Sequence, residues 1–185
     1  LDIVDFTGQG IAPALRPVCG AKPAPAIIAP PQPRVLSADV QRKIQDLMVT
    51  ASNAHRQGKV AKVQKALEQV LELDNQDDQA LFNLGIILRD AKNHGQAELM
   101  LRRAIKSNPE KIEAYHALGD LLYDVKHVLS AIKVYENGLE KAPNHLQILA
   151  NLLRARLAVR HHRDIESLTR RILAIEPGGP DILCY

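Results

Sequence analysis

Tryptophan is missing from this chain, and aromatic residues make up only 3% of it. Any core must therefore be assembled from Leu, Ile, Val and Ala, the side chains that close-packed helices use. There is also no run of aromatics on which nucleic-acid bases would stack. Cysteine is almost as scarce: Cys19 and Cys184 lie far apart and neither has a partner at metal spacing. That excludes a disulfide framework for a chain of this size and leaves reduced thiols as the expectation. No apolar run approaches the ~20 residues that a membrane helix needs. The stretch Ala24 to Ala29 is short and hemmed in by prolines, so membrane insertion is not expected. Charge of one sign is lacking as well. Lys and Arg number 24 against 21 Asp and Glu, a formal charge of +3, without the concentrated basic field expected of a nucleic-acid binder.

Catalytic signatures are absent in the same way. HExxH, CxxC, GxSxG and phosphate-loop patterns do not occur, so no cofactor or metal is expected and the chain reads as a non-enzyme. His161 and His162 are adjacent, and neighbours on a helix point apart, which makes them a poor metal pair. His55, His94, His116, His127 and His145 are scattered along the chain. No signal-peptide pattern is found, and Arg16 and Pro17 interrupt the one stretch that resembles it. The expected location is the cytoplasm. A first residue of leucine rather than methionine suggests a fragment or a processed chain.

What is present divides the chain in two. Seven of the 11 prolines fall in the first 35 residues: Pro13, Pro17, Pro23, Pro25, Pro30, Pro31 and Pro33. Each fixes φ and removes a donor, so residues 1–36 read as an extended, proline-rich linker or tail. Helix is expected from Ser37 onward, with Ser37 or Asp39 as cap and Val40, Ile44 and Leu47 at helical spacing.

From there a pattern of period 34 is repeated, in units 44–77, 78–111, 112–145 and 146–179. The middle two superimpose Leu84-Gly85 on Leu118-Gly119, Ala97 on Ala131 and Pro109 on Pro143. The fourth keeps Leu152 and Pro177, and the first keeps Leu47, Gly58 and Leu67. A fixed period of this length is the signature of a stacked helical array. Helices are expected at roughly 38–57, 60–73, 78–91, 94–107, 112–125, 128–141, 146–159 and 162–175, with boundaries uncertain by a few residues. Residues 180–185 begin a fifth copy, with Leu183 at the place of Leu47, Leu81, Tyr115 and Leu149. No polar capping helix follows, so the natural protein is expected to continue beyond Tyr185.

These features resemble the tetratricopeptide repeat, over residues 44–179 with a ragged start of a fifth unit. The resemblance implies an all-α, right-handed α-solenoid of helix–turn–helix repeats, here following a proline-rich extension. It also implies that the two helices of each unit pack closely through small residues. Those map onto Gly85, Ala97 and Ala104, and onto Gly119, Ala131 and Gly138. The outer units depart from this, with Ala51, Val63 and Val70 in the first and Leu153, Ile165 and Ile172 in the fourth. A wider helix pair is expected in the fourth unit. Arg156 falls where Ala54, Leu88 and Leu122 line the core, so either its stem snorkels outward or that helix is rotated.

In proteins of this family the first helix of each unit lines a concave groove that holds a peptide. The matching residues are Met48, Val49, Ser52 and His55; Phe82, Asn83, Ile86 and Arg89; His116, Ala117, Asp120 and Tyr123; and Ala150, Asn151, Arg154 and Leu157. Phe82, Ile86 and Tyr123 are expected to form an apolar centre on the second and third units, although Phe82 and Ile86 would equally serve to pack neighbouring units. Asn83 and Asn151 share one register position, where an amide can hold a peptide bond of any sequence, but Val49 and Ala117 interrupt the series. Of the family's carboxylate-clamp positions, here Met48, Ser52, Asn83, Glu113 and Ala117, only Asn83 fits, which disfavours a chaperone-tail adaptor. The fourth unit is rich in arginine (Arg154, Arg156, Arg160, Arg163, Arg170 and Arg171) and the third in acid. Solvated faces explain that most simply, and an acidic partner segment near Arg154 and Arg160 is the sharper alternative.

Three readings stay open at this point. The first is a protein–protein interaction module that binds a peptide or protein segment. The second is the substrate-docking arm of a larger enzyme, such as an O-GlcNAc-transferase-like glycosyltransferase or a bacterial sulfotransferase. The third is a scaffold that self-associates.

Overall fold

A computed structural model describes residues 36–160 and 165–177. The chain divides into two units, residues 1–33 and 34–185, and every described residue belongs to the second. The proline-rich segment up to residue 35, residues 161–164 with the His161–His162 pair, and the fifth copy at 180–185 lie outside the described residues. Among the described residues all regular structure is helical. The helices are α1 (Ala38–Arg56), α2 (Val60–Leu73), α3 (Asp78–Asp90), α4 (His94–Ser107), α5 (Ile112–Asp124), α6 (Val128–Lys141), α7 (Leu146–Ala158) and α8 (Ile165–Ile175). The fold is an α-solenoid.

Local chemistry explains the boundaries. Ser37 caps α1, its hydroxyl accepting from the Val40 N–H at 3.4 Å. The Asp77 carboxylate accepts from Ala80 N–H at 2.7 Å and starts α3, and Asn93 caps α4 by accepting from Gln96 N–H at 3.5 Å. Each occupies an orphan donor of a first turn. The turns within units repeat as strictly as the sequence does. Gly58, Lys92, Lys126 and Arg160 all adopt positive φ, at 68°, 63°, 67° and 53°. Behind them the first helix closes by a pair of reversed bonds: Gly58 N–H to His55 O and Lys59 N–H to Ala54 O, both at 2.9 Å. The same pair recurs from Lys92 to Arg89 and Asn93 to Leu88, and from Lys126 to Tyr123 and His127 to Leu122. This double closure satisfies the last carbonyls and turns the chain into the second helix.

Consecutive helices pack in sequence, and the first helices also touch one another, α3 with α5 and α5 with α7. The first helices therefore form one layer and the second helices another. Leu67, Leu81, Leu101, Leu118, Leu122, Tyr135 and Leu149 are among the fully buried side chains between them. At the two glycines of the first helices the reason for the missing side chain is visible. A Cβ on Gly85 would stand 2.8 Å from Leu101 Cγ, and one on Gly119 would stand 2.2 Å from the Tyr135 ring. Gly138 instead clears space at a junction between units, where Tyr115 and Ile148 would lie 3.0 and 3.1 Å from its Cβ.

Side chains also strap the units together. Arg103 donates to the Asn75 carbonyl at 2.6 Å, and Arg171, two periods later, donates to the Pro143 carbonyl. Lys141 pairs with Glu110 at 2.7 Å. Lys111 reaches back to Asp78 at 2.8 Å and to the Gln79 side-chain oxygen at 2.7 Å. In the fourth unit, Leu153 and Ile172 fill the places of smaller residues and are buried, and α7 meets α8 over fewer residues than the other pairs do. Arg156 is largely covered, and its guanidinium pairs with Glu136 on α6, so a carboxylate on the neighbouring helix rather than solvent accommodates it.

Candidate peptide-binding groove

The exposed edge of the first-helix layer has two parts with different chemistry. The first lies between α1 and α3. Met48, Ser52 and His55 recur at helical spacing on α1, and Phe82, Asn83 and Ile86 do so on α3. Val63 and Leu67 of α2 lie at the floor, and together these residues enclose a cavity of about 510 Å³. Phe82, Ile86 and Ile87 are half-buried against the core rather than free in solvent, so the packing role foreseen for Phe82 and Ile86 is seen, and both also line the cavity. Their inner sides pack and their outer sides line the cavity. Lys111 Nζ sits 5.4 Å from the centre of the Phe82 ring, a cation–π distance.

Asn83 borders this cavity and is held from one side. Its Oδ1 accepts from Gln79 Nε2 at 3.1 Å, and Gln79 in turn accepts from Lys111. The same lysine pairs with Asp78, which also accepts from Asn108 at 3.2 Å. Burial pushes the Asp78 carboxyl upward, but the bonds from Lys111 and Asn108 outweigh it, and the net shift is below the ordinary value of 3.8. Asp77 shows the reverse: desolvation prevails over its capping bond to Ala80 and holds its pKa above 3.8.

The second part lies between α5 and α7 and is polar. Asp120 Oδ1 accepts from the Tyr135 hydroxyl at 2.6 Å and from Asn151 Nδ2 at 2.7 Å. Asn151 Nδ2 also stands 3.0 Å from His116 Nε2, and that nitrogen is 3.5 Å from Asp120 Oδ2. The His145 ring, 6.1 Å from that of His116, closes the cluster, and its Nδ1 caps α7. Burial and the neighbouring Asp120 carboxylate push the Tyr135 hydroxyl far above its usual range, so it stays a neutral donor. Arg154 is exposed and lies over Tyr123, its guanidinium carbon 4.5 Å from the ring centre.

The nine residues expected to form the groove are thus distributed unevenly. Phe82, Asn83 and Ile86 line the cavity. His116, Asp120, Asn151, Tyr123 and Arg154 build the polar part. Arg89 is half-buried and bonds to its neighbour Asp90 at 3.2 Å. Two expectations need correction. The apolar centre does not span the second and third units: Tyr123 belongs to the polar part under Arg154, and the cavity opens between the first and second units. Ala117, counted as a groove residue, is buried, because its short side chain stays within the helix packing. Tyr135 was not anticipated, since it comes from a second helix. Its signal was an aromatic where the preceding unit has Leu101, opposite a glycine.

Among the described residues no group of three His, Cys, Asp or Glu is placed to hold a metal, and no helix is long and apolar enough to cross a membrane.

Comparison with known proteins places these features in context. Residues 54–121 match the family described as tetratricopeptide repeat. Over 114 residues the chain is 31% identical to protein O-mannosyl-transferase Tmtc3 of Drosophila melanogaster, covering 60% of this chain and 12% of that protein. The fold resembles an O-GlcNAc transferase variant of Thermobaculum terrenum, with a TM-score of 0.59 and 26% identity over 65% of this chain and 23% of that one. It also resembles the first such repeat of Spaghetti, solved with an HSP90 peptide, with a TM-score of 0.60 and 21% identity over 64% of this chain and 97% of that one. The last likeness concerns the fold alone, and the chain spans only a minor share of both transferases.

Proposed function

Because the chain is a tetratricopeptide-repeat protein, we propose that it acts as a non-enzymatic binding module that holds a peptide or protein segment along its layer of first helices. The observation that carries this reading is the cavity between α1 and α3, with Met48, Phe82, Ile86 and Ile87 as its apolar lining. It is open, falls in the ~300–1,000 Å³ range of ligand clefts and so has room for apolar side chains of a bound segment, and is bordered by Asn83 and Ser52 for polar positioning. That the same fold in Spaghetti was solved with a peptide is consistent with this use. The cytoplasm remains the proposed location.

The test is a peptide-display selection against the full chain, followed by affinity measurements on a Phe82→Ala/Ile86→Ala variant, which truncates two residues of the cavity lining. Truncating both is expected to weaken selected peptides by tenfold or more, since a residue at the centre of an interface costs ~1–2 kcal/mol or more when truncated. Helicity by circular dichroism should be retained. Unchanged affinity would refute the groove assignment.

A second reading, the docking arm of a larger transferase, draws on the likeness to Tmtc3 and to the Thermobaculum enzyme, and on Asn83 and Asn151 at one register position. Sequencing the full reading frame discriminates: a catalytic domain on the same chain favours this reading. Self-association, the third reading, is tested by the dependence of solution mass on concentration.

A further inference from the structure

The groove reading leaves open what kind of segment is bound. The two parts of the surface answer differently. Between α1 and α3 the lining is apolar. Between α5 and α7 it is polar, and its charges are not equally available. Asp120 already receives Tyr135 and Asn151 at 2.6 and 2.7 Å, with His116 at 3.5 Å. A carboxylate so supplied has little need of a donor from a partner. Arg154 is in the opposite condition. It is exposed, stacked on Tyr123 and beside the Tyr135 hydroxyl. Its contacts are with a π face and a neutral oxygen, and among the described residues no ion pair with a carboxylate involves it. A guanidinium pre-positioned on an aromatic ring loses little freedom when it takes a planar anion by two parallel bonds.

Resting on the groove reading, we infer that the bound segment is bipartite, with an apolar side chain that enters the α1–α3 cavity and a carboxylate side chain, farther along, that pairs with Arg154. The spacing follows from the layer. Neighbouring first helices pack at ~8–10 Å, so two steps from the α1–α3 cleft to the α5–α7 cleft come to ~16–20 Å. An extended segment advances ~3.3 Å per residue. The apolar and acidic residues should therefore stand about five or six positions apart. Asn83, at the edge of the cavity with its Oδ1 held by Gln79, offers its side-chain N–H groups to the adjoining peptide backbone whatever its sequence.

The experiment is a selection from a random dodecapeptide display library on the full chain, with fluorescein-labelled versions of the enriched peptides measured by anisotropy. Enriched peptides are expected to combine an apolar residue with Asp or Glu at that separation. Changing the acid to Lys should weaken binding about tenfold. Arg154→Glu should invert the preference towards the Lys peptide, and Arg154→Gln, which keeps the size of the side chain, should abolish the preference. If peptides that weaken on Phe82→Ala are indifferent both to the acid-to-Lys change and to Arg154→Gln, the bipartite inference is wrong while the groove reading stands. If nothing is enriched, or enriched peptides ignore Phe82→Ala, both fall together.

Discussion

At the scale of single residues, Gly119 shows how one absent methyl group shapes the surface. The Tyr135 ring comes from α6 and passes the backbone of α5 at the one place without a side chain, and its hydroxyl reaches Asp120 at 2.6 Å on the far side. Gly119→Ala would put a carbon 2.2 Å from that ring, which is fully buried and has nowhere to swing. Overpacking costs ~1–3 kcal/mol, against a helix-propensity gain of ~1 kcal/mol for replacing glycine, so the clash should win. Denaturant unfolding should give a lower midpoint for Gly119→Ala. Gly95→Ala makes the control, because nothing lies within 4 Å of its added Cβ, and a gain of up to ~1 kcal/mol is expected there. If both variants gain stability, the account of Tyr135 is wrong. Much of this scale was readable in advance: the resemblance to the tetratricopeptide repeat placed Phe82, Asn83, Asn151 and Arg154 on the first helices along one edge. The reach of Tyr135 was not, because a register argument confined to first helices cannot see a side chain that crosses between layers.

Among the helices and their turns, the period conceals a chemical mismatch. Gly58, Lys92, Lys126 and Arg160 hold one backbone conformation, yet only the first is the residue that conformation favours. A left-handed φ costs a side-chain-bearing residue ~1 kcal/mol or more. Lys92→Gly and Lys126→Gly should therefore each raise stability by ~0.5–1 kcal/mol in urea unfolding, and a loss on both would contradict the helix-closure account. Lysine carries no turn signal by itself. Only its distance of one period from Gly58 pointed to the conformation. The start of α3 yields a prediction in pH. Asp78 has its pKa below 3.8 in the folded chain, because Lys111 and Asn108 hold the carboxylate. Its stabilisation is fully present above the unfolded-state value and is lost as pH falls through the folded value. Asp78→Asn should thus be less stable than the parent at pH 7, with the difference closing below about pH 4. Asp77 has the opposite sign. Its raised pKa means that the carboxylate form is disfavoured by folding at neutral pH. Asp77→Asn keeps a capping oxygen without the buried charge and should be neutral or stabilising at pH 7.

For the array as a whole, contacts run mainly between neighbours, so stability should be graded along it rather than uniform. The helices differ in what they bury. Six residues of α6 are buried, from Ala131 to Leu139, but only Leu168 and Ile172 of α8. Leu173 is 41% exposed while Leu139, one period earlier, is 8% exposed. Hydrogen exchange should accordingly be slowest in α5 and α6 and fastest in α8. The periodicity made the array itself readable, but not the split of its edge into an apolar cavity and a polar cluster. That split depends on how far each pair of first helices is filled, with Ala117 buried in one place and Phe82 half-exposed in another. The same gradient supplies a test of what a bound segment does. A ligand that occupied only the cavity would slow exchange in α1, α2 and α3. A segment that also engages Arg154 links the first helices across the array, so ordering one end favours the other. Added peptide should then slow exchange in α7 as well as α1, and Arg154→Gln should remove the effect on α7 while leaving that on α1. Protection confined to α1–α3 with the parent chain would show that the two ends of the edge bind independently.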